Sequence, residues 1–245
     1  MCNTFISGAT GKVGRILVEK VLEDSDLRLV GGSASKGSKE LGKDLGLSIG
    51  KDSINIDIVD DISNETDIDL IIDFSKTQNS IEILRFASKE NIPVVLGTTG
   101  FNETEINEIN KISKEIPLLV APNTSKGIAI FKKIIDHSKD VIRIASSLEI
   151  HEKHHEEKKD SPSGTAINLK EQLNEILSSN DTQIISVREG NSPGEHSLKL
   201  AFDDETLEIS HKVSDRSIFA KGAIDAAKWL KNKPPGPYTM QDIYS

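Results

Sequence analysis

The stretch that most constrains this chain is TFIS at 4–7, which runs without a break into GATGKVG at 8–14. Behind the glycines, KVGRILVEKVLE at 12–23 places Val13, Ile16, Leu17, Val21 and Leu22 at a helical period. LRLVGG, from Leu27, follows as a second strand. Strand, glycine turn, helix and strand make the βαβ unit that holds a pyrophosphate on backbone amides and on the positive end of a helix. The spacing is G-x-x-G-x-x-G, so Gly8 is assigned the tight turn, Gly11 the close approach of a phosphate and Gly14 the packing of helix on sheet. Ala9, Thr10, Lys12 and Val13 complete the loop expected to bind a dinucleotide. A glycine-rich turn of some other α/β protein is the bland alternative, and the flanking strand and helix weigh against it.

The alternation continues. Strands are expected at 56–60 (IDIVD), 69–75 (DLIIDFS), 92–100 and 116–125, with helices over 79–89 and 103–115 between them. The run at 69–75 is apolar through its middle, as a parallel strand covered on both faces must be. Four strands end in small or polar residues: the glycines at 8 and 11, Asp73-Phe74-Ser75, Gly97-Thr98-Thr99-Gly100, and Ala121-Pro122-Asn123-Thr124. Loops at the carboxyl ends of parallel strands line a ligand crevice, and four such loops favour that reading over ordinary turns. After the second strand comes GGSASKGSK at 31–39, without the acid that would accept a ribose hydroxyl from NAD. Ser33, Ser35 and Lys36 there suit a 2′-phosphate, so NADPH is expected to serve at least as well as NADH.

The second half has a different texture. A helix is expected over 127–137, then a long strand through VIRIASSLEIH at 141–151 and a charged loop, EKHHEEKKD. SPSGTAINLKEQLNEILSS reads as a capped helix, with Ser161 or Ser163 as the cap. TQIISVREG, SLKLAFDD and TLEISHKV read as strands, a helix covers 217–232, and a Pro/Gly-rich tail closes the chain. The fold class is therefore α/β: a Rossmann-type dinucleotide-binding domain with a mostly parallel sheet, then a C-terminal α+β domain with an open mixed sheet. The 245 residues suffice for two such cores, and Cys2, the only cysteine, excludes an internal disulfide. A net charge of -9 argues against nucleic acid, and no apolar run is long enough for a membrane span. With no secretory signal, a cytoplasmic setting is the expectation.

HEKHH at 151–155 has the H-E-x-x-H spacing of a zinc protease, which works only on a helix, where both imidazoles share a face. Here it follows a β-branched run. In an extended chain His151 and His155 would sit roughly 13 Å apart, too far to share a zinc. No metal is expected. His154, His155 and Lys158 instead gather donors just ahead of a helix N-terminus at Ser163, Gly164 and Thr165, whose amides and hydroxyls suit a carboxylate. The alternative is a solvated charged loop, since Glu156, Glu157 and Lys159 are interspersed. A nucleotide domain needs a second substrate, however, and this is the one cluster suited to it.

At this point the sequence resembles the 4-hydroxy-tetrahydrodipicolinate reductase family, also called dihydrodipicolinate reductase. The resemblance rests on Glu152, His154-His155, Lys158, Asp160 and Pro162-Ser163-Gly164-Thr165-Ala166. In order along the chain it also rests on GATGKVG, DFS at 73–75, GTTGF at 97–101, APNTSKGI at 121–128, REG with GEH at 188–196, and SHKVSDRSIFAKGA at 210–223. It implies a nucleotide domain over 1–124, a substrate and oligomerisation domain over 125–214, and a C-terminal helix and tail over 215–245 that return to the first. It also implies a homotetramer and a place in diaminopimelate and lysine synthesis. The implied reaction reduces the dehydrated form of 4-hydroxy-tetrahydrodipicolinate with hydride from NADPH or NADH. By resemblance, His154 and Lys158 are the proton-donating or polarising pair, and His155, Ser163, Gly164 and Thr165 contact substrate. Phe74, Gly97, Thr98, Thr99 and the loop Ala121, Pro122, Asn123, Thr124 attend the nicotinamide. Thr77 and Pro237 depart from the family's usual Pro and Leu. A non-catalytic nucleotide-binding scaffold and a dehydrogenase of another small dicarboxylate are the competing functions.

Overall fold

The computed structural model describes residues 1–178 and 182–244, so the last positions of the expected helix at 161–179 and of the tail lie outside the described residues. Two compact units divide the chain: Met1–Thr124 with Ser217–Ser245, and Ser125–Arg216.

The first unit begins β1 (Cys2–Ser7), α1 (Lys12–Leu22), β2 (Leu27–Ser33), α2 (Leu45–Ser48) and β3 (Ile58–Val59). It continues β4 (Leu70–Asp73), α3 (Thr77–Glu90), β5 (Val94–Leu96), α4 (Glu103–Ile112) and β6 (Pro117–Val120). The second unit holds α5 (Lys126–His137), α6 (Lys139–Ile144), β7 (Ser147–His154), α7 (Gly164–Leu177), β8 (Gln183–Arg188), β9 (Glu195–Phe202) and β10 (Glu205–Lys212). The chain then returns to the first unit with α8 (Ser217–Leu230), β11 (Gly236–Tyr238) and α9 (Met240–Ile243).

The first sheet is parallel throughout, in the order β11-β6-β5-β4-β1-β2-β3. Its central strands alternate between two buried faces. Phe5, Ile71, Val94, Leu96 and Leu118 join Leu84, Ala87, Ile109 and Ile112 of α3 and α4 in one core. Leu17, Val18 and Val21 of α1 and Ala220, Ala223, Ala226, Ala227 and Leu230 of α8 are also buried. The small residues of α8 let that helix lie close: a Cβ at Gly222 would overlap the carbonyl oxygen of Thr124. Strand order runs outward from β1 through β2 and β3 one way, and from β4 through β5 and β6 the other. The reversal falls between β1 and β4, where Ser7 pairs with Asp73, and this is the switch point at which open α/β sheets bind ligands.

Several expectations change. The strand expected at 56–60 narrows to Ile58–Val59, which pairs in the sheet with Gly32 and Ser33. Residues 141–144, expected as strand, belong to helix α6, in which Ile142 is buried while Val141 and Ile144 are exposed. Local packing there overrides the β-branched composition. The tail supplies the edge strand β11, where Pro237 needs no donor on its outer side.

The second sheet runs β10-β9-β7-β8, with β7 and β8 parallel and the other pairs antiparallel. Its inner face packs Ile150, Leu198, Leu200, Ile184 and Ile209 against Phe131, Ile135, Leu169 and Leu173 of α5 and α7. Its outer face is open and carries His151 and Lys153 beside the exposed Ile185 and Val187.

Candidate active site

In the first unit the glycine turn is shaped for a phosphate. Gly8 has φ +76, a conformation that L side chains avoid, and a Cβ on Gly14 would overlap the carbonyl oxygen of Gly8. Helix α1 therefore starts hard against the turn. Its N-cap is Gly11, in extended conformation and making no side-chain capping bond, so no side chain of the cap competes for the first-turn amides of Lys12, Val13 and Gly14. That is the donor set a pyrophosphate needs, and the turn fits a dinucleotide.

The other loops gather at the same carboxyl end. Phe74 follows β4, and its ring leaves no room for a side chain on Gly97, at the end of β5. The buried Asp73 accepts from Ser80 and, at 3.0 Å, from Thr98 Oγ1, which itself accepts from Ser75 N at 3.0 Å. The Thr98 hydroxyl thus ties two of the loops together. Thr124 is likewise turned inward, its hydroxyl donating to Phe219 O at 2.7 Å. Lys36 lies beyond β2 with Nζ 3.9 Å from Glu82 Oε2, both side chains at least half exposed.

The second unit has a polar row at one end of its sheet. On the inner face, Ile184, Ile150, Leu198 and Ile209 form one cross-strand row, and the next row is Ser186, Glu152, His196 and His211. Beyond it, Arg188 stands opposite His154. Contrary to the loop expected from the sequence, residues 152–154 therefore complete strand β7. Glu152, 2% exposed, accepts from His154 Nδ1, from Arg188 Nη2 at 2.8 Å and from the Ser163 amide at 3.3 Å. Burial alone would raise its pKa, but Arg188 and the other donors outweigh it and hold the carboxyl below its ordinary value. His154 is pushed down by burial, against the pull of Glu152, with Lys158 and Arg188 adding to the depression. Since Nδ1 is engaged by Glu152, Nε2 is the nitrogen left for acid–base work. A Cβ on Gly194 would stand 3.1 Å from that atom, so the absence of a side chain at 194 leaves Nε2 uncrowded.

Ser163 is the N-cap of α7: its Oγ accepts from Ala166 N at 3.2 Å, a contact worth about 1 kcal/mol at such a position. It also lies 3.2 Å from His196 Nε2. Contrary to the expectation of a free amide at Ser163, its N–H is not available to a ligand, because Glu152 takes it. His154, Ser163 and Gly164 are thus brought to one place through Glu152. His155 follows the strand end, its amide bonded to Ser192 O at 2.9 Å, and Lys158 Nζ is held by Asp160 at 2.8 Å. Arg188, His196 and His211 lie in segments that carry the family resemblance, REG, GEH and SHKV, but sequence reasoning gave them no role.

H-E-x-x-H is not a zinc helix here. It lies largely on a strand, with His151 on the outer face bonded to Glu149 at 2.8 Å and Glu152 on the inner face. A different trio, Glu152, His154 and His196, has ligand-capable atoms within 4.8 Å of one another. Its carboxylate is already held by Arg188, His154 and the Ser163 amide, and the adjacent guanidinium opposes a cation.

A parallel sheet with a phosphate-shaped glycine turn, joined in one chain to a buried carboxylate–histidine pair, defines a two-domain NAD(P)H-dependent oxidoreductase. Residues 2–124 match the family model described as dihydrodipicolinate reductase, N-terminus, and residues 127–244 match that of its C-terminus. The chain belongs to the dihydrodipicolinate reductase family. It is 35% identical to the 4-hydroxy-tetrahydrodipicolinate reductase of Hahella chejuensis, over 99% of this chain and 98% of that one. Among solved structures, a dipicolinate-bound dihydrodipicolinate reductase from Paenisporosarcina sp. TG-14 superposes with TM-score 0.82 at 20% identity, covering 99% of each chain. An amine dehydrogenase from Mycobacterium smegmatis shares the fold with TM-score 0.71 at 11% identity, over 98% of this chain and 96% of that one. Among the described residues, no helix is long and apolar enough to cross a membrane.

Proposed function

We propose that this chain reduces 4-hydroxy-tetrahydrodipicolinate to tetrahydrodipicolinate, with loss of water, in diaminopimelate and lysine synthesis. The observation that carries the reading is the Glu152–His154 pair beside the Ser163 cap, in a chain whose two halves both match one reductase family. NAD(P)H, when bound on the Gly8–Gly14 turn, supplies the hydride. The protein's own groups do the rest. Glu152 fixes the His154 ring and leaves Nε2 to carry the proton. In the resting protein His154 is held neutral by burial, and a dianionic substrate raises its proton affinity, so it charges as substrate arrives. Lys158 and the end of α7, with Ser163, Gly164 and Thr165, offset the substrate's carboxylates, and His155 adds a contact.

For the coenzyme, Ser35 and Lys36 favour the 2′-phosphate of NADPH, while the nearby Glu82 keeps the margin over NADH small. The nicotinamide end is assigned to Phe74, Gly97, Thr98, Thr99 and Ala121, Pro122, Asn123 and Thr124. No metal takes part. The open sheet face with Ile185 and Val187 is the candidate surface for a homotetramer, which light scattering tests. The activity test makes the substrate in place with the preceding synthase and follows reduced-nicotinamide absorbance. Loss of absorbance that requires the synthase's product supports the reading. No substrate-dependent loss refutes it in favour of a nucleotide-binding scaffold, and turnover only with another small dicarboxylate favours a related dehydrogenase.

A further inference from the structure

His196 is the buried member of the polar row for which the mechanism above has no task. It is 4% exposed, its Nε2 faces Ser163 Oγ at 3.2 Å, and its Nδ1 has no hydrogen-bond partner among the described residues. The His154 ring stands edge-on at 5.2 Å and the His211 ring lies 6.5 Å away. Burial keeps the His196 imidazole neutral, with a pKa of about 4. A neutral imidazole has one N–H, and two tautomers are available. If Nδ1 carried the hydrogen, a buried N–H would be left unpaired, which is rarer than an under-used acceptor. With the hydrogen on Nε2, the ring donates to Ser163 Oγ.

The difference decides what Ser163 can do. Its oxygen has two lone pairs, one of them taken by the Ala166 amide. If His196 donates into the second, the oxygen is saturated as an acceptor and its own hydrogen is free for a ligand. In the other tautomer that hydrogen is committed to the ring, and Ser163 has nothing to give a carboxylate. We infer that His196 is a positioning residue: its Nε2–H donates to Ser163 Oγ and so turns the serine hydroxyl into a dedicated donor to the substrate's carboxylate. The inference rests on the reductase reading, which places a dicarboxylate at the start of α7. It implies that His196 governs substrate affinity and leaves the proton and hydride steps alone.

The test compares wild type, His196→Leu, His196→Gln, Ser163→Ala and the Leu/Ala double variant in the full chain. KM and kcat come from the coupled assay, and the Kd of pyridine-2,6-dicarboxylate from calorimetry with NADH present. Removing the neutral His196–Ser163 hydrogen bond leaves the hydroxyl free to rotate, so His196→Leu should raise KM and Kd about three- to tenfold, with kcat changed by less than about twofold. Ser163→Ala, which deletes the donor to the carboxylate itself, should cost on the order of ten- to a hundredfold, and adding His196→Leu to it should cost little more, because His196 acts only through that hydroxyl. Glutamine places an amide N–H near the Nε2 position, so His196→Gln should recover most of the affinity. Should His196→Leu fail to fold, His196→Asn, whose amide lies nearer the Nδ1 position, serves in its place and should show the same loss, about three- to tenfold. Additive effects in the double variant, or a loss seated in kcat, would overturn the role. So would a glutamine variant as weak as the leucine one. Wild type that neither binds the dicarboxylate nor turns over would sink the reductase reading and this inference together.

Discussion

Acidification from pH 7 to pH 5 should weaken the second unit through His196. Burial first, and then the positive charge of His154, His211 and Lys158 against the negative charge of Glu152, sets its pKa at about 4, down from 6.5. Between these values the unfolded chain binds a proton that the folded chain refuses. Stability therefore holds above the ordinary histidine value and falls as pH drops below it. Linkage puts the loss from this one ring at about 2 kcal/mol by pH 5 and about 3 kcal/mol by pH 4. His154 and His211, both depressed with burial the first cause, add loss of the same sign, so the total fall does not isolate His196. The difference between wild type and His196→Gln does. Urea titrations of the full chain at pH 7, 6 and 5, followed by far-ultraviolet circular dichroism, should show the variant losing about 2 kcal/mol less than wild type over that range. Circular dichroism is the right probe because the lone tryptophan, Trp229, lies in the other unit. Equal losses in the two proteins would refute the reasoning, as would an NMR titration placing His196 near 6.5.

The site makes three further demands. Lys36→Ala should lower the NADPH-to-NADH ratio of kcat/KM by about fivefold or more, the scale of a lost partly exposed charge contact, and Glu82→Gln should raise it about twofold; an unmoved ratio in both would show that the loop after β2 does not meet the 2′-phosphate. His154→Gln and Lys158→Met should each cut kcat on the order of 100-fold with coenzyme Kd nearly intact, and His155→Gln should act through KM; near-wild-type kinetics in the first two would return the segment to a merely charged loop. Extended EDTA treatment should leave full activity, elemental analysis of tag-free protein should find no stoichiometric metal, and His151→Ala should cost little because its ring lies on the outer face, bonded to Glu149; one zinc per chain lost together with activity would overturn the mechanism.

The first unit was largely legible because its signals are local. A glycine turn between a strand and an amphipathic helix needs no distant partner to be recognised, and β4 declares its burial in its own composition, Leu70 to Ile72. The failures were places where a partner decides. The tail's Gly-Pro-Tyr is a weak strand by propensity and becomes one only because β6 offers an unpaired edge. Three of residues 141–144 have β-branched side chains, and helix α6 results from which of them is buried rather than from what they prefer. Strand β7 ran three residues past its expected end because Glu152 and His154 look like loop residues until their partners are known.

His154, the proposed proton carrier, was legible as part of a motif, but the row that holds it was not, since register across four strands is not written in any one of them. One trace was present. In EHSLKLAF the inward positions are His196, Leu198 and Leu200, a histidine on an otherwise apolar face, and β7 makes the same change from Ile150 to Glu152. Because β9 runs antiparallel to both β7 and β10, these changes fall at the same end of the sheet and make one continuous band. Continuing the core instead, with aliphatic residues in the Glu152, Arg188 and His196 positions, would avoid the desolvation of an ion pair and could equal or exceed the present stability. What such a sheet would lack is a fixed Nε2 on His154 and an outward hydrogen on Ser163. The polar row is thus the point at which the second unit stops being a core and becomes a site, and its hydrogen bonds keep three ionisable groups buried there without leaving the carboxylate unpaired.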